Sequence, residues 1–139
     1  MYEIAVDTEF CAAHAIVIRG EREPVHGHNW KVRVVVRAEA LDEDGLVCDF
    51  HALDATLNEI IAPFRDADLN TAPPFNRQNP TAEHVARHIG ESVGAWLFSL
   101  GENRGLRLSS VRVTEAPRCA AVYRPDAPHV AGNAEGAGA

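Results

Sequence analysis

Residues 26–38, which read HGHNWKVRVVVRA, restrict the fold of this chain more than any other stretch. Its even positions are histidine or apolar, whereas most of its odd positions are polar or charged. Because successive side chains of a β-strand point to opposite faces, this alternation predicts a long strand with one buried face. His26 and His28 stand at the start of that buried face.

Two other stretches predict helices. Asp49 is placed to cap a helix that carries an apolar stripe and ends near Pro63. Thr81 follows a proline-rich loop and is placed to cap a second amphipathic helix, which ends at GENRG, residues 101–105. Helices with a single apolar stripe bury that stripe against another element, so we expect both to cover a sheet.

Three more segments predict strands. Residues 2–14 mix alternation with the run FCAAHA, which indicates a first strand with room for a bulge. Residues 106–115 and 119–124 indicate two strands joined as a hairpin by the short connection APR. The resulting order predicts an α+β fold, in which two helices cover one face of a four-stranded antiparallel sheet. Such a sheet has two open edges, so we expect it to pair with copies of itself as a homo-oligomer.

Length and composition narrow the class of protein. The 139 residues suit one domain, which we place at residues 1–124, with the Gly-rich residues 125–139 as a flexible tail. A net charge of −7 argues against a surface for duplex nucleic acid. No apolar stretch approaches the ~20 residues of a membrane helix, and the first residues lack a signal pattern, so we expect a cytoplasmic protein. The scattered Cys11, Cys48 and Cys119 predict buried free thiols.

Three histidines form a candidate metal site. His26 and His28 are two residues apart on one strand, so both imidazoles project from the same face. His14 ends the preceding strand and comes within reach if the two strands pair. Three neutral imidazoles with an open fourth position are typical of a catalytic zinc site. The alternative is that His26 and His28 are solvent-facing loop residues, because an H-x-H pair alone is a weak signal.

The order of motifs along residues 2–124 resembles the 6-pyruvoyl tetrahydropterin synthase and 6-carboxytetrahydropterin synthase family. The similarity lies in FCAAHA, VHGHNWKVRVVV, NPTAEHVARHI and VRVTEAPRCAAVYR. The resemblance implies the tunnelling fold, in which three sheets close into a barrel and two trimers stack, with pterin sites at subunit boundaries. It also implies zinc bound by His14, His26 and His28, and a trimer or hexamer as the assembly.

The same resemblance implies two contacts to a pterin substrate. Glu115 would anchor the pterin ring, since a carboxylate accepts paired N–H donors from an amide and an amine. The alternative for Glu115 is an exposed charge at the end of a strand. Thr81, in Asn-Pro-Thr at 79–81, would border the pocket, although plain helix capping is the role we favour for it.

A first departure from the family pattern concerns the reaction. Pyruvoyl-type and carboxy-type members carry a cysteine four residues before the first histidine of H-G-H, where this chain has Arg22. The neighbouring Glu23 resembles a third type, in which a glutamate replaces the cysteine and the enzyme cleaves the side chain of dihydroneopterin triphosphate. A carboxylate at a zinc site would take a proton from a substrate hydroxyl and so drive a retro-aldol cleavage. The alternative is a surface charge in the run GERE.

A second departure lies at residues 64–70, FRDADLN, where the family usually shows L-D-H-x-x-L-N. Arg65 and Asp66 occupy the places of the Asp and His that form the family's second proton relay. We take Asp66 as the candidate acid or base, with Asp68 as the alternative. Either carboxyl would need burial to raise its pKa for that work.

The resemblance and Glu23 together imply a zinc-dependent pterin lyase of the folate pathway. Its expected reaction converts 7,8-dihydroneopterin triphosphate to 6-hydroxymethyl-7,8-dihydropterin. One alternative is 6-carboxy-5,6,7,8-tetrahydropterin synthase of the queuosine pathway, which the missing cysteine disfavours. Another alternative is a family member that still binds zinc and pterin but has lost catalysis.

Overall fold

The computed structural model describes residues 1–125, and the tail predicted from residue 125 onward lies almost wholly outside them. Residues 1–125 form seven strands and two α-helices. In chain order they are β1 Tyr2–His14, β2 Val17–Ile18, β3 Glu21–Arg22, β4 His26–Ala38, α1 Phe50–Ile61, β5 Ala67–Asp68, α2 Ala82–Ser99, β6 Arg107–Ala116 and β7 Cys119–Tyr123. The predicted order of long strands and helices is confirmed.

The main sheet has five strands in the order β5-β1-β4-β6-β7, so the predicted count of four was wrong. The additional strand β5 pairs with β1 in parallel, with Ala12 opposite Ala67. A strand of two residues shows no periodicity, and it lies in the polar stretch RDAD, so no pattern indicated it. The α+β class holds, because the four long strands are antiparallel and both helices lie against the sheet.

Strand β1 pairs with β4 along its whole length, from Tyr2 opposite Ala38 to His14 opposite His26. This pairing is regular, so the bulge allowed for in β1 is absent. The register shifts lie instead between Val35 and Val36, where β4 meets β6, and near the end of β6, where it meets β7. A regular β1–β4 ladder fixes which side chains of the two strands lie opposite each other.

The apolar face of the sheet and the two helices enclose one core. Trp30, Val34 and Val36 of β4 are fully buried there. The stripes of α1 and α2 meet them with Leu53, Leu57 and Ile61, and with Val85, Ile89 and Val93. Helix α2 lies on β6 and β7, and α1 packs on α2 and β1. The alternation of β4 therefore predicted the buried face correctly.

Both predicted helix caps are present. The Asp49 carboxylate accepts a hydrogen bond from the His51 N–H, and the Thr81 hydroxyl accepts one from the His84 N–H. Helix α1 ends at Ile61, and Pro63 lies in the short 3₁₀ turn that follows. These caps satisfy backbone groups that have no partner inside the helix.

The prediction of three buried thiols was correct only for Cys48, since Cys11 and Cys119 are exposed. Cys11 lies on the outer face of β1, where its thiol donates to the side-chain oxygen of Asn29 at 2.9 Å. No helix in the described part of the chain is long and apolar enough to cross a membrane.

Candidate metal centre and active site

Three imidazoles meet where β1 ends and β4 begins. The ladder sets His14 opposite His26, and His28 lies two residues further along the same face of β4. The ring centroids are 4.7 to 5.0 Å apart, and the rings meet edge to face. The sheet register thus brings together three side chains from two distant parts of the sequence.

Backbone carbonyls orient two of these rings. The Nδ1 atom of His14 lies 2.8 Å from the carbonyl oxygen of Pro80, and that of His26 lies 2.9 Å from the carbonyl oxygen of Pro24. A carbonyl only accepts hydrogen bonds, so Nδ1 must carry the proton in both rings. The Nε2 atoms then present lone pairs to the cluster, as in metal-binding histidines whose other nitrogen is held by an outer partner.

Glu115 completes the cluster from β6. Its Oε1 atom lies 3.2 Å from Nε2 of His14 and 3.0 Å from Nε2 of His28. The ligand atoms of the three histidines and Glu115 all lie within 4.8 Å of one another. The structure therefore places the sequence-predicted metal residues together and adds Glu115 to them.

The chemistry of this donor set fits a divalent cation such as zinc. His14 is fully buried, and neither its Nε2 nor that of His28 has a hydrogen-bond partner among the described residues, despite the nearby Glu115 oxygen. A lone pair on Nε2 and a carboxylate oxygen repel each other at about 3 Å unless a proton or a cation lies between them. Three imidazoles and a carboxylate are ligands that zinc prefers.

The protonation of His28 suits the same role. Burial lowers the pKa of His28, the nearby Glu115 carboxylate opposes that effect, and the two other histidines add to it. Burial disfavours the charged imidazolium, so the neutral ring prevails at neutral pH. A metal ion binds only the neutral imidazole.

A short hairpin beside the cluster carries Glu23. Strands β2 and β3 are joined at Arg19 and Gly20, whose positive φ angles of 53° and 81° suit a tight two-residue turn. The Glu23 Oε1 atom accepts a hydrogen bond from the Ile16 N–H at 3.1 Å and lies 3.7 Å from Nε2 of His26. We call the group formed by His14, His26, His28 and Glu115 the metal cluster. The Glu23 carboxylate is thus fixed at its rim and remains about one-third exposed.

The structure does not bring Asp66 into the metal cluster. Asp66 has a φ of 55°, and its backbone N–H donates to the Cys11 carbonyl at 2.7 Å. Its side chain lines a cavity of about 660 Å³ that also touches Asp68 and His28. Arg65 points elsewhere, because its guanidinium donates to the Glu9 carbonyl and the Asn58 side chain.

Two other positions of the sequence interpretation are also accounted for. The Thr81 hydroxyl caps α2, and the neighbouring Pro80 supplies the carbonyl that holds His14. Arg22 is exposed on β3, and none of the cysteines belongs to the metal cluster in residues 1–125. The contact of Thr81 with a pterin stays a prediction.

Sequence reasoning missed the role of two asparagines. Asn70 and Asn79 bind the backbone of Ala15 and Val17, directly after His14. The available signal was chemical, because an amide side chain in a loop offers one donor and one acceptor to a neighbouring backbone. No pattern indicated which backbone each amide would meet.

A histidine cluster beside a fixed carboxylate, on a small sheet covered by two helices, forms a candidate metal centre in an α+β fold. The chain belongs to the 6-pyruvoyl tetrahydropterin synthase family, whose family model matches residues 3–126. The family resemblance drawn from the motifs is therefore confirmed.

Relatives and solved structures show the same similarity. The 6-carboxy-5,6,7,8-tetrahydropterin synthase of Bacillus subtilis is 32% identical over 130 residues, which cover 89% of this chain and 86% of that protein. The dihydroneopterin monophosphate aldolase of Pyrococcus furiosus is 34% identical over 84 residues, 60% of this chain and 68% of that protein. A Plasmodium vivax 6-pyruvoyltetrahydropterin synthase, solved as a mutant with a catalytic glutamate changed to alanine, has a TM-score of 0.66. It is 18% identical, covers 91% of this chain and 98% of that chain, and so shows the shared fold.

Proposed function

We propose that this chain is a zinc-dependent pterin lyase that cleaves the side chain of 7,8-dihydroneopterin triphosphate and leaves 6-hydroxymethyl-7,8-dihydropterin. The observation that carries this proposal is the position of the Glu23 carboxylate. It accepts a hydrogen bond from the Ile16 N–H, and its Oε1 atom lies 3.7 Å from Nε2 of His26. A carboxylate in that place is a general base next to the proposed metal ligands His14, His26 and His28.

The comparisons support a carboxylate-driven cleavage. The Pyrococcus furiosus relative is named an aldolase of dihydroneopterin monophosphate, and a glutamate is a catalytic residue in the Plasmodium vivax enzyme. No thiol reaches the metal cluster in residues 1–125, so Glu23 is the side chain at hand for the role that a cysteine has elsewhere in the family.

The proposed cleavage is a retro-aldol reaction. Bound zinc would supply Lewis-acid polarisation of the side-chain hydroxyls. Glu23 accepts the proton of the 2′-hydroxyl and the C1′–C2′ bond breaks, so that its electron pair forms a C1′=C6 double bond while the C6=N5 π pair moves onto N5 of the pterin ring. C1′ then takes up a proton, which gives the hydroxymethyl product and a phosphorylated glycolaldehyde. The proton from Glu23 balances the reaction, so no oxidant or reductant is needed.

Two further residues keep proposed roles. Glu115 would anchor the pterin through paired hydrogen bonds to its carboxylate, which requires that carboxylate to turn from the histidines toward the ring. Asp66 is a candidate for the second acid or base. In the single chain it lies outside the metal cluster and lines a cavity that His28 also lines, so it would act on a substrate that reaches from the metal cluster into that cavity.

The assembly is also a proposal. Strand β1 pairs with β5 only at Ala12 and Ala13, so in the described residues its outer edge over residues 2–11 has no strand partner. Within residues 1–125, the outer edge of β7 has no partner strand either. Unpaired edges favour pairing between copies, and we propose a trimer or hexamer. Light scattering at micromolar concentration measures this directly, and a monomeric mass would refute it.

A second function is favoured by one observation. The Bacillus subtilis relative, which matches most of this chain, is named 6-carboxy-5,6,7,8-tetrahydropterin synthase. Against this function, Arg22 stands where that type carries a cysteine. Loss of catalysis with retention of zinc and pterin binding is the third outcome.

Product identification separates these functions. Zinc-loaded protein is incubated with 7,8-dihydroneopterin triphosphate, and in parallel with the monophosphate, and the pterin products are identified by mass spectrometry. The proposal expects 6-hydroxymethyl-7,8-dihydropterin and its loss in a Glu23→Gln variant. A carboxytetrahydropterin product would establish the second function, and unchanged substrate with measurable pterin binding would establish the third.

A further inference from the structure

We infer that Asn70 and Asn79 are positioning residues that hold Glu23 and His14 in place through the backbone of residues 15–17. The role assigned to Glu23 rests on the proposed function, whereas the backbone contacts do not. Both asparagine side chains bind backbone groups, so each would act through the residues that it holds.

Each asparagine binds both backbone groups of one residue. Asn70 accepts from the Ala15 N–H at 2.7 Å and donates to the Ala15 carbonyl at 2.8 Å. Asn79 does the same with Val17, at 2.9 and 3.0 Å. In a β-sheet, a residue of the neighbouring strand pairs with both the N–H and the carbonyl of one residue. Each asparagine amide makes the same two hydrogen bonds and so takes the place of a strand residue.

Ile16, which lies between Ala15 and Val17, binds Glu23. Ile16 donates its N–H to the Glu23 carboxylate, and its carbonyl accepts the Glu23 N–H at 3.1 Å. Ala15 and Val17 are therefore fixed from one side, while Ile16 binds the proposed base from the other. Moving this segment would move the carboxylate away from His26.

Asn70 and Asn79 lie near the two ends of one loop, residues 70–80, and this loop also orients a proposed metal ligand. Asn79 is followed by Pro80, whose carbonyl accepts the Nδ1 proton of His14. Asn70 begins the other end of that loop and clamps Ala15, the residue next to His14. The loop from 70 to 80 thus supports a metal ligand and a base together, although its side chains reach neither.

Aspartate is the informative replacement. It has the shape of asparagine but only acceptor oxygens, so a carboxylate oxygen would face the carbonyl of Ala15 or Val17. The test compares Asn70→Asp and Asn79→Asp with Asn103→Asp, a matched change at an exposed loop position. Asn79→Ala, which removes both hydrogen bonds without adding a charge, serves if the aspartate variants do not fold.

The first measurement is amide hydrogen exchange, which requires no activity. We expect exchange in residues 15–23 to rise ~10-fold or more in the Asn70 and Asn79 variants, because local opening becomes easier, with β4 and β6 unchanged. The Asn103→Asp variant should match the parent. Unchanged exchange in residues 15–23 would overturn the inference, even if the parent protein proved inactive.

The second measurement tests the link to Glu23. In zinc-loaded protein, Asn79→Asp should lower kcat by ~10–100-fold, the usual cost of losing an outer-shell partner, with little change in KM. In a Glu23→Gln background the same change should lower kcat by a clearly smaller factor, because the carboxylate that it positions is gone and only its support of His14 remains. An equal loss in both backgrounds would show a general structural effect and overturn the positioning role. A parent without turnover would refute the proposed function and leave hydrogen exchange to decide the backbone role.

Discussion

His14 and His88 both lie at least partly inside the fold, and they differ in the side chains that face the imidazole ring. His14 lies against two other imidazoles and Glu115, and its Nε2 has no hydrogen-bond partner among the described residues. His88 of α2 lies edge-on to Phe64 and Phe75, with both ring centroids 5.6 Å away. One site gathers several metal-ligating atoms, and the other packs a single, partly buried ring against two phenyl rings.

The difference shows which property identifies a metal ligand. Burial lowers the pKa of His28 in the first site and of His88 in the second, so the direction of the shift is the same. What separates the sites is the convergence of several ligand atoms within 4.8 Å. Zinc requires such convergence, whereas packing requires only matching shape.

The largest expected effect is the loss of metal. A His26→Ala/His28→Ala double variant should lose the bound zinc, because two of three imidazole ligands are gone, while the parent holds about one zinc per chain. Elemental analysis of protein purified without chelators measures this. His88→Leu is the matched control and should keep its zinc, and zinc retained by the double variant would remove the first site from metal binding.

The second effect is on turnover. Glu23→Gln should lower kcat by ~10²–10⁴-fold, the range for removal of a general base, while zinc content and the unfolding temperature stay near those of the parent. Steady-state kinetics with 7,8-dihydroneopterin triphosphate gives the number. Turnover equal to the parent would make Glu23 an ordinary surface charge and end the proposed mechanism.

The third effect concerns Glu115, which the structure places between two roles. As a ring anchor, the Glu115 carboxylate is the charged acceptor of hydrogen bonds from the pterin N–H groups, worth about 1.5–3 kcal/mol each. Glu115→Ala should therefore weaken pterin binding while zinc stays on three imidazoles. Calorimetric titration with a pterin and metal analysis of the same sample separate the roles. Zinc loss with unchanged pterin affinity would make Glu115 a metal ligand instead.

The long elements of this fold were predictable, and so was the meeting of the histidines. The alternation of β4 is visible over thirteen residues, and the pairing of β1 with β4 then placed His14 opposite His26. Both steps depend on periodicity, which a sequence records directly. The buried face followed from the same periodicity, both caps from the residue type before each helix, and the family from the resemblance of its motifs.

The unpredicted parts depend on contacts between distant residues. Strand β5 has two residues and no period, and it exists because it meets the end of β1. Asn70 and Asn79 bind backbone 55 and 62 residues away, at positions set by the packing of the loop after α1. Asp66 could be aligned with a relay position, but its place outside the metal cluster, in a cavity that His28 also lines, depends on tertiary structure.

The smallest expected effect concerns His88, the packed histidine, and the dependence of the free energy of unfolding on pH. Burial holds the pKa of His88 below its ordinary value of 6.5, with the Glu91 carboxylate opposing only in part. Below pH 6.5 the His88 side chain takes up a proton in the unfolded chain, whereas burial disfavours that proton in the folded protein. This residue therefore lowers the free energy of unfolding as the pH falls from 6.5 toward the folded-state pKa of His88. At pH 7.5 both states are neutral at this position, and the contribution vanishes.

A His88→Leu variant should therefore lose less stability than the parent between pH 7.5 and pH 5. Urea unfolding of both proteins, as metal-free samples at the two pH values, gives the two differences, and histidines outside the variant position affect both proteins alike. A variant that lost as much stability as the parent would show that His88 accepts a proton within the fold. The contrast between a packed ring and a metal-ligating ring would then rest on the ligand geometry of the first site alone.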